Sequence, residues 1–381
     1  MQLSWARDES RFMQSGTVDQ LASLPQHCPA PSEARGERFL IVTDAWHPQI
    51  NGVVRTLERL AEELEAKGCV LEFLTPQDFG NLPLPFYAEI RLALATPARV
   101  AKHIRRARPD HVHIATEGPL GMLARRFCLR HGLAFTTSYH TRFPEYLSAR
   151  APVPERWSYA WLSRFHNAGN GTLVATPSLA AELTARGFRN VRPWTRGVDT
   201  GLYRPDRPQV LGDLPRPIFL SVGRVAVEKN LPAFLDLDLP GSKVVVGDGP
   251  DLKRLRTAYP DAVFLGAKTG EELADIYASA DVFVFPSRTD TFGIVLLEAL
   301  ASGLPVAAFP VTGPIDVLGD GLGGALSPDL RQAALEALAI SRNEARAKAL
   351  TYSWASCADI FLEHAGAAHI DAPDTARKPS A

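Results

Sequence analysis

The sequence has little cysteine and no long apolar run, and each shortage excludes a class of protein. Its four cysteines among 381 residues are too few and too scattered for a disulfide framework or a zinc site. We therefore expect reduced, mostly buried thiols and a cytoplasmic location. Since no apolar run approaches the ~18 residues that a membrane span needs, the sequence also predicts that the chain does not cross a bilayer.

A net charge of one sign is missing as well. The chain carries 41 Lys and Arg against 42 Asp and Glu, a formal net charge of −1, which argues against a dedicated nucleic-acid binder. The charge is unevenly spread, because residues 38–190 hold 19 basic against 13 acidic side chains and the rest of the chain is acidic. This asymmetry predicts that the first part of the chain meets an anionic surface.

The first 37 residues differ in composition from the rest of the chain. They lack the basic start and the continuous apolar core of a secretory signal. Their Ser, Gln, Pro and Glu content predicts a disordered extension, and Met13 offers an alternative start of the chain.

From Arg38 onward, short runs of β-branched residues alternate with amphipathic helical stretches. A stretch rich in Pro and Arg at 201–216 interrupts this alternation and reads as a linker between domains at 38–200 and 217–350. Alternation of this kind predicts two doubly wound parallel sheets, with ligands in a cleft at the carboxyl ends of the strands. We predict the strands at Phe39–Thr43, Val70–Thr75, His111–Ala115, Ala134–Ser138, Leu173–Ala175, Val191–Trp194, Ile218–Val222, Lys243–Val246, Val263–Leu265, Val282–Phe285 and Val306–Ala308.

The most informative segment is SRTDTFGIVLLEALASGLP, which comes after the apolar run DVFVFP. It reads as a strand, a polar turn and a helix that starts near Phe292, Gly293 and Ile294. Unsatisfied N–H groups and the helix dipole favour phosphate at that start. Asp290 precedes the helix and Glu298 lies inside it, so the two acids could reach sugar and ribose hydroxyls of a sugar nucleotide. Alternatively, Asp290 is a helix N-cap and Glu298 is solvated or paired.

The segment TDTFGIVLLEALASGLPVAA resembles the Glu-x7-Glu region of retaining glycosyltransferases with the GT-B fold, in the family-4 group that uses nucleotide-diphospho-sugars. Asp290 stands where the first Glu is usual, so this departure bears on donor-sugar choice or reach. The resemblance extends over residues 38–365 through several motifs in the same order. It implies two Rossmann-like domains that face each other across a cleft and a helix at 351–365 that crosses back to the first domain. We also predict a disordered tail at 366–381.

Further donor-site motifs lie in the second domain. Arg224 and Lys229 in GRVAVEK follow its first strand and resemble the family's diphosphate grip, although such cations are commonly just solvated. Gly247 and Gly249 in VVVGDGP resemble the turn beside the nucleotide, and a GDGP sequence also makes a structural turn.

Other candidates follow strands of the first domain. Gly52 in the motif QINGVV would let the backbone approach the donor, or it is a turn glycine next to an Asn51 cap. His140 in SYHTRFP resembles the family's donor-sugar histidine, although a lone His is more often structural. Glu117 and Asp44 are candidates for orienting the acceptor, with a helix N-cap as the alternative for Glu117.

The motif WTRGVDTGLY resembles the family's Asn-Gly-Val-Asp element before the linker. Gly197, Val198 and Asp199 match it, and Arg196 replaces the usual Asn.

The acceptor is suggested by surface features. The segment Thr96–Arg108 packs five cations into one helix, the loop NLPLPFY at 81–87 is apolar, and Trp157, Trp161 and Phe165 form one helical stripe. Basic helices with interfacial aromatic residues fit docking on an anionic membrane; alternatively, the stripe is core. The motifs resemble most closely diacylglycerol glycosyltransferases and GDP-mannose-dependent α-mannosyltransferases, so we expect a lipid or glycan acceptor and a peripheral membrane location.

The resemblance implies transfer of a hexosyl group with retention of configuration and without metal or other cofactor, because the leaving phosphate oxygen can take the acceptor proton. Two alternatives stay open. One is a sugar-nucleotide epimerase or hydrolase of the same fold, which would act without an acceptor. The other is a catalytically silent sugar-nucleotide-binding protein, for which Asp290 is the only support.

Overall fold

The computed structural model describes residues 36–49, 51–84, 87–148 and 153–370. The predicted extension at 1–37, except its last two residues, lies outside these ranges, as do residues 371–381 of the predicted tail.

The first half of the described chain contains one parallel sheet with helices between its strands. Its elements are β1 Arg38–Val42, α1 Gly52–Ala66, β2 Val70–Leu74, β3 Asn81–Leu84, β4 Tyr87–Ala93, α2 Pro97–Ala107, β5 His111–Ile114, α3 Pro119–His131, β6 Phe135–Tyr139, α4 Phe143–Ser148, α5 Glu155–His166, β7 Gly171–Val174, α6 Pro177–Ala185 and β8 Val191–Pro193. The strand order is β2-β1-β5-β6-β7-β8, while β3 and β4 form a separate antiparallel hairpin.

The second half repeats the architecture. Its elements are β9 Ile218–Val222, α7 Pro232–Leu235, β10 Ser242–Val246, α8 Leu252–Ala258, β11 Val263–Gly266, α9 Gly270–Ser279, β12 Val282–Phe285, α10 Ile294–Ala301, β13 Val306–Ala308, α11 Pro314–Leu318, β14 Gly324–Leu326, α12 Leu330–Ala337, α13 Arg342–Ala349 and α14 Trp354–Ile370. The strand order is β11-β10-β9-β12-β13-β14, and the strand pairs of this sheet are parallel.

The apolar strands explain why both faces of the second sheet are covered. Successive side chains of a strand point to opposite faces. In β9, Phe219 belongs to one core cluster and Leu220 to another, and Val245 and Val244 divide between the same two clusters in β10. Strands buried on both faces need helices on both faces, which is the layered arrangement observed.

The strand order fixes where ligands can bind. In each sheet the order reverses at one point, between β1 and β5 and between β9 and β12. Open parallel sheets bind ligands outside the carboxyl ends of the strands at such points. The loops there carry four residues singled out from the sequence: Asp44 after β1, Glu117 after β5, Arg224 after β9 and Asp290 after β12.

The last described helix packs on the first half. Trp194 donates its indole N–H to the carbonyl oxygen of Cys357 at 3.0 Å, and the ring of Phe361 lies 6.0 Å from that of Phe39. The predicted tail begins too early, since residues 366–370 are helical. Burial of Ala365 and Ala368 against the first half explains the longer helix. No helix within the described ranges is both long and apolar enough to cross a membrane.

Candidate functional site

The two halves meet across a cleft at their strand ends. Thr291 Oγ1, just before α10, donates to the carbonyl oxygen of His140 at 2.8 Å. Ser178 Oγ, at the start of α6, lies 2.5 Å from Asp316 Oδ2 on α11. These contacts join loops from both halves, so residues predicted from separate motifs lie at one site.

The N-termini of α1 and α10 converge in this cleft. A Cβ atom added to Gly52 would lie 3.8 Å from Ile294 Cδ1, an ordinary contact. Asn51 Oδ1 already accepts from the backbone N–H groups of Val53 and Val54, both at 3.0 Å, so the alternative of an Asn51 cap holds. The N-cap of α10 is Gly293, which offers no side chain, so the α10 end is the better place for an anion.

Asp290 forms an ion pair and keeps one oxygen unused. Its Oδ1 lies 2.5 Å from Lys229 Nζ. Its Oδ2 is buried and finds no hydrogen-bond partner among the described residues. The whole side chain is only 15% exposed. Because Gly293 occupies the N-cap position, the alternative of Asp290 as the cap is wrong. A buried carboxylate oxygen without a donor is costly to the protein and suits a ligand hydroxyl.

His140 also keeps one polar atom unused. Its Nδ1 lies 3.3 Å from Arg196 Nη2, and its buried Nε2 lacks a partner in the described part of the chain. Burial, followed by the charge of Arg196 and the neighbouring His113 and His166, holds the pKa of His140 well below its ordinary value. The ring is therefore neutral at physiological pH.

Glu298 lies in a different environment from Asp290. Arg55 Nη1 donates to its Oε1 at 2.9 Å and the Tyr277 hydroxyl donates to its Oε2 at 3.0 Å. Burial raises the pKa of Glu298, and the charge of Arg55 opposes that rise. Since both oxygens are engaged, the paired alternative describes this state, and a ribose hydroxyl would compete with Arg55 and Tyr277 for the carboxylate.

The two loop glycines of the second half have a packing reason of their own. A Cβ atom on Gly247 would lie 1.8 Å from the carbonyl oxygen of Gly223, and one on Gly249 would lie 2.3 Å from that of Val225. The backbone N–H of Val225 donates to the carbonyl oxygen of Asp248 at 2.9 Å. These glycines hold the β10 loop against the β9 loop that carries Arg224, which fits the alternative of a structural turn.

Asp44 is engaged by its own half. Its carboxylate accepts from the backbone N–H groups of Leu120 and Gly121 at 2.9 and 3.2 Å, so it satisfies the first turn of α3. Burial raises the pKa of Asp44, and these hydrogen bonds oppose the rise. Its carboxylate therefore faces α3, and its role in orienting the acceptor stays a prediction.

Glu117 is linked to a buried histidine. Its Oε1 lies 3.0 Å from His166 Nε2, and His166 Nδ1 lies 2.9 Å from Thr137 Oγ1. The N-cap of α3 is Gly118, so the alternative of Glu117 as the cap is wrong. Its side chain remains partly exposed at the strand end.

Two site residues carried no recognised signal in the sequence. Gln49 is buried, and its Nε2 has no partner within the described residues. Arg55 pairs with a residue 243 positions away, which no local pattern could indicate. Arg196 stood out only as a departure from a motif. Within the described ranges, no group of three or more His, Cys, Asp or Glu is arranged to hold a metal ion.

The predicted aromatic stripe of α5 is divided between surface and core. Phe165 is buried, whereas Trp157 and Trp161 are 63% and 43% exposed. Arg125 on α3 donates to the carbonyl oxygens of Phe165 and Arg164, both at 3.0 Å, which ties the last turn of α5 to α3. The alternative that the whole stripe is core is therefore wrong.

The exposed tryptophans belong to a wider surface that we call the α3–α5 face. It combines apolar and cationic side chains from two neighbouring helices that Arg125 ties together. Its exposed members are Met122, Arg126, Leu129, Arg130, Arg156, Trp157, Trp161 and Arg164. Apolar and basic groups on one face are typical of helices that lie at a membrane interface.

Comparisons with known proteins agree with this geometry. The sequence profile described as Glycosyltransferase Family 4 matches residues 50–202, and that described as Glycosyl transferases group 1 matches residues 216–342. A GDP-mannose-dependent alpha-mannosyltransferase of Mycobacterium tuberculosis is 32% identical over 86% of this chain and 96% of its own. An alpha-monoglucosyldiacylglycerol synthase of Streptococcus pneumoniae is 28% identical over 79% of this chain and 78% of its own.

Among solved structures, the sucrose-phosphate synthase of Thermosynechococcus elongatus aligns with a TM-score of 0.69 and 19% identity. The alignment covers 86% of this chain and 98% of that one. With the two facing parallel-sheet halves, this likeness confirms the predicted GT-B fold. The predicted enzyme class, a glycosyltransferase, is also confirmed, and the comparisons give no support to the epimerase or hydrolase alternative.

Proposed function

Because this chain belongs to glycosyltransferase family 4, we propose that it transfers a hexosyl group from a nucleotide-diphospho-sugar to an acceptor hydroxyl with retention of configuration. One observation carries the proposal. Asp290 Oδ2 and His140 Nε2 are two buried polar atoms without described protein partners. They lie on two loops that contact each other at the N-terminus of α10. A sugar would satisfy both atoms while its diphosphate occupies the helix N-terminus.

The residues of the second half supply charge stabilisation for the leaving group. Arg224, Lys229 and the N-terminus of α10 meet the negative charge that develops on the diphosphate as the bond between C1 and the phosphate oxygen breaks. The acceptor oxygen bonds to C1 on the same face, and its proton goes to the departing phosphate oxygen. This route uses no protein nucleophile and no metal ion, and it depends on positioning both substrates.

The names of the relatives guide the choice of donor. One is named for GDP-mannose and another for monoglucosyldiacylglycerol. We therefore propose GDP-mannose as the preferred candidate for the donor and UDP-glucose as the alternative candidate. Thermal-shift measurements with each donor and with the free nucleotides test this choice. A ligand at 100 times its Kd adds about 2.7 kcal/mol of stability. A selective shift with one donor is expected, and no shift with any of them would contradict the proposal.

Substitution of Lys229 tests the diphosphate grip. Lys229→Ala removes a cation next to Asp290, and we expect kcat to fall about 10²- to 10³-fold because transition-state charge loses a partner. The matched control is Lys253→Ala, an exposed lysine on α8, which should keep wild-type turnover. A near-normal kcat in Lys229→Ala would contradict the assignment of the donor site.

We propose further that the acceptor is a lipid, reached at an anionic membrane surface on the cytoplasmic side. The α3–α5 face supports this, because tryptophan suits the interface between water and lipid and arginine is attracted by anionic headgroups. This face lies on the first half of the chain, where basic residues outnumber acidic ones. Its position agrees with the prediction that this half meets an anionic surface.

Vesicle sedimentation tests the lipid proposal. The protein should bind vesicles of phosphatidylcholine with phosphatidylglycerol more tightly than phosphatidylcholine alone, and the double variant Trp157→Ala, Trp161→Ala should lose most of that binding. Leu350→Ala, an exposed apolar residue of the second half, is the matched control. If both variants bind alike, or if charge has no effect, the lipid proposal fails and a glycan acceptor is favoured.

A further inference from the structure

Arg196 is a buried cation without a carboxylate partner in the described part of the chain. Its Nη1 donates to the carbonyl oxygens of Trp194 and Thr195 at 2.6 and 3.0 Å. Its guanidinium carbon lies 4.3 Å from the centroid of the Trp194 ring. Buried charges are usually paired with an opposite charge because their desolvation is costly, so a guanidinium held here by neutral groups requires a reason.

The third hydrogen bond of Arg196 has an unambiguous direction. A guanidinium has only N–H donors and no acceptor, so the contact of 3.3 Å between Arg196 Nη2 and His140 Nδ1 requires that Nδ1 accept. An accepting Nδ1 carries no proton. In a neutral imidazole the proton must then be on Nε2, which is the atom that lacks a partner among the described residues.

The surroundings of His140 also disfavour its protonated form. The titratable groups that face it are Arg196, next to β8, His113 on β5 and His166 on α5. None of these three carries negative charge, and a proton on Nδ1 would place two donors against each other. The main chain is fixed as well, since the carbonyl oxygen of His140 accepts from Thr291.

We propose that Arg196 is a positioning residue that fixes His140 as the Nε2–H tautomer, so that His140 serves only as a hydrogen-bond donor to the sugar of the nucleotide donor. The inference rests on the proposed function for its ligand. It assigns complementary roles to the two unused atoms, because Asp290 Oδ2 in its ionised form can only accept. The sugar must therefore offer an accepting oxygen to His140 and a donating hydroxyl to Asp290.

His113 provides an internal contrast. It is buried nearby, and its two ring nitrogens lie 2.9 Å from the hydroxyl oxygens of Thr136 and Ser138. Hydroxyl groups both donate and accept, so either neutral tautomer of His113 finds partners. At His140, unlike at His113, a partner with no acceptor decides the tautomer.

The first experiment reads the tautomer directly by NMR of the full chain with ¹⁵N-labelled histidine, without substrate. His140 is assigned by its absence from His140→Gln. We expect its Nδ1 to resonate as an unprotonated nitrogen and its Nε2 as a protonated one at pH 7. A protonated Nδ1 would overturn the proposal, and this outcome does not depend on any variant of Arg196.

The second experiment removes the guanidinium. Arg196→Met keeps most of the volume and lacks the donor, so His140 should populate both neutral tautomers while the His113 signals stay unchanged. Arg196→Lys keeps a cationic donor and should retain more of the Nε2–H form; it replaces the Met variant if that one does not fold. An unchanged single Nε2–H tautomer in a folded Arg196→Met would overturn the proposal.

The third experiment separates this inference from the proposed function. Arg196→Met should bind the sugar nucleotide about tenfold more weakly, with unchanged affinity for the free nucleoside diphosphate, because only the sugar contacts His140. Equal weakening of both ligands would show a merely structural role for Arg196. If the wild-type protein binds no sugar nucleotide, the proposed function fails, while the NMR result still decides the tautomer.

Discussion

The two halves of the molecule have parallel sheets of the same size, but the loop after β1 in the first half and the loop after β10 in the second are stabilised by different means. After β10, backbone packs on backbone, since Gly247 leaves no room for a Cβ atom beside Gly223. After β1, a side chain holds the loop, since Asp44 accepts from the first turn of α3. Loops built from backbone contacts cannot accept a side chain at those glycines, whereas loops held by side chains depend on a few polar groups.

The surfaces of the halves differ as well. The exposed large apolar residues of the second half are aliphatic, as at Val227 and Leu350, whereas the first half exposes Trp157 and Trp161 beside arginines. This contrast agrees with the proposed roles, in which the second half binds the diphosphate of the donor and the first half docks on an anionic membrane.

The largest effect should come from filling the backbone contact of the second half. In Gly247→Ala the new Cβ atom would lie 1.8 Å from the carbonyl oxygen of Gly223, at a φ of +143°. We expect a loss of about 3 kcal/mol or more in the free energy of unfolding, or failure to fold. The first half offers the control Gly132→Ala, with a φ of +65° but nothing within 4 Å, which should cost about 1 kcal/mol. If urea unfolding shows that Gly247→Ala and Gly132→Ala lose the same free energy of unfolding, the backbone contact at Gly247 has no special importance.

A second comparison lies within the first half, between a buried and an exposed tryptophan. Trp194 is fully buried and hydrogen-bonded to Cys357, so Trp194→Ala should lower the free energy of unfolding by about 3–5 kcal/mol. Trp157→Ala should change it by less than about 0.5 kcal/mol, because that side chain is mostly exposed. Urea unfolding measures both. A large loss in Trp157→Ala would mean that the α3–α5 face is structural and not a docking surface.

The smallest effect concerns Glu298 and depends on pH. Burial raises the pKa of Glu298, so the folded state binds its proton more tightly than the unfolded state, whose value is near 4.5. The stability from this proton is complete below that value and is lost as the pH rises through the raised pKa. Relative to Glu298→Gln, which cannot ionise, the wild type should lose free energy of unfolding as the pH rises through this range. The total loss should be about 1.4 kcal/mol for each unit by which folding raises the pKa of Glu298.

Urea unfolding of wild type and Glu298→Gln between pH 4 and 8 checks this prediction. Asp44→Asn is the counterpart in the first half, because burial also raises the pKa of Asp44 and the same sign is expected. A wild type that gains stability over Glu298→Gln as the pH rises would show that Arg55 outweighs burial.

The fold was predictable because the strands are apolar runs bounded by polar turns. The predicted bounds of Ile218–Val222 and Val282–Phe285 are those observed. Residues that come after such strands, including Arg224 and Asp290, then lie at the carboxyl ends by geometry alone. Strand position depends on local pattern, which is what a sequence displays.

The partners of the site residues were not predictable in the same way. Arg55 reaches Glu298 only because the two halves pack together. The face of α5 that buries Phe165 and exposes Trp157 is defined by its packing on the core of the first half. The roles of Gly247 and Gly249 likewise required the neighbouring loop. Each depends on tertiary contacts between distant segments, for which one sequence holds no local signal.

The return of α14 to the first half has a consequence for synthesis. Phe361 packs with Phe39 and with Trp194, so the core of the first half includes a segment made more than 150 residues after β8. A ribosome must therefore complete the entire second half before the first can close its own core. The half that is translated first therefore cannot complete its core until α14 is made, and nascent chains stalled before Trp354 should expose its unfinished surface.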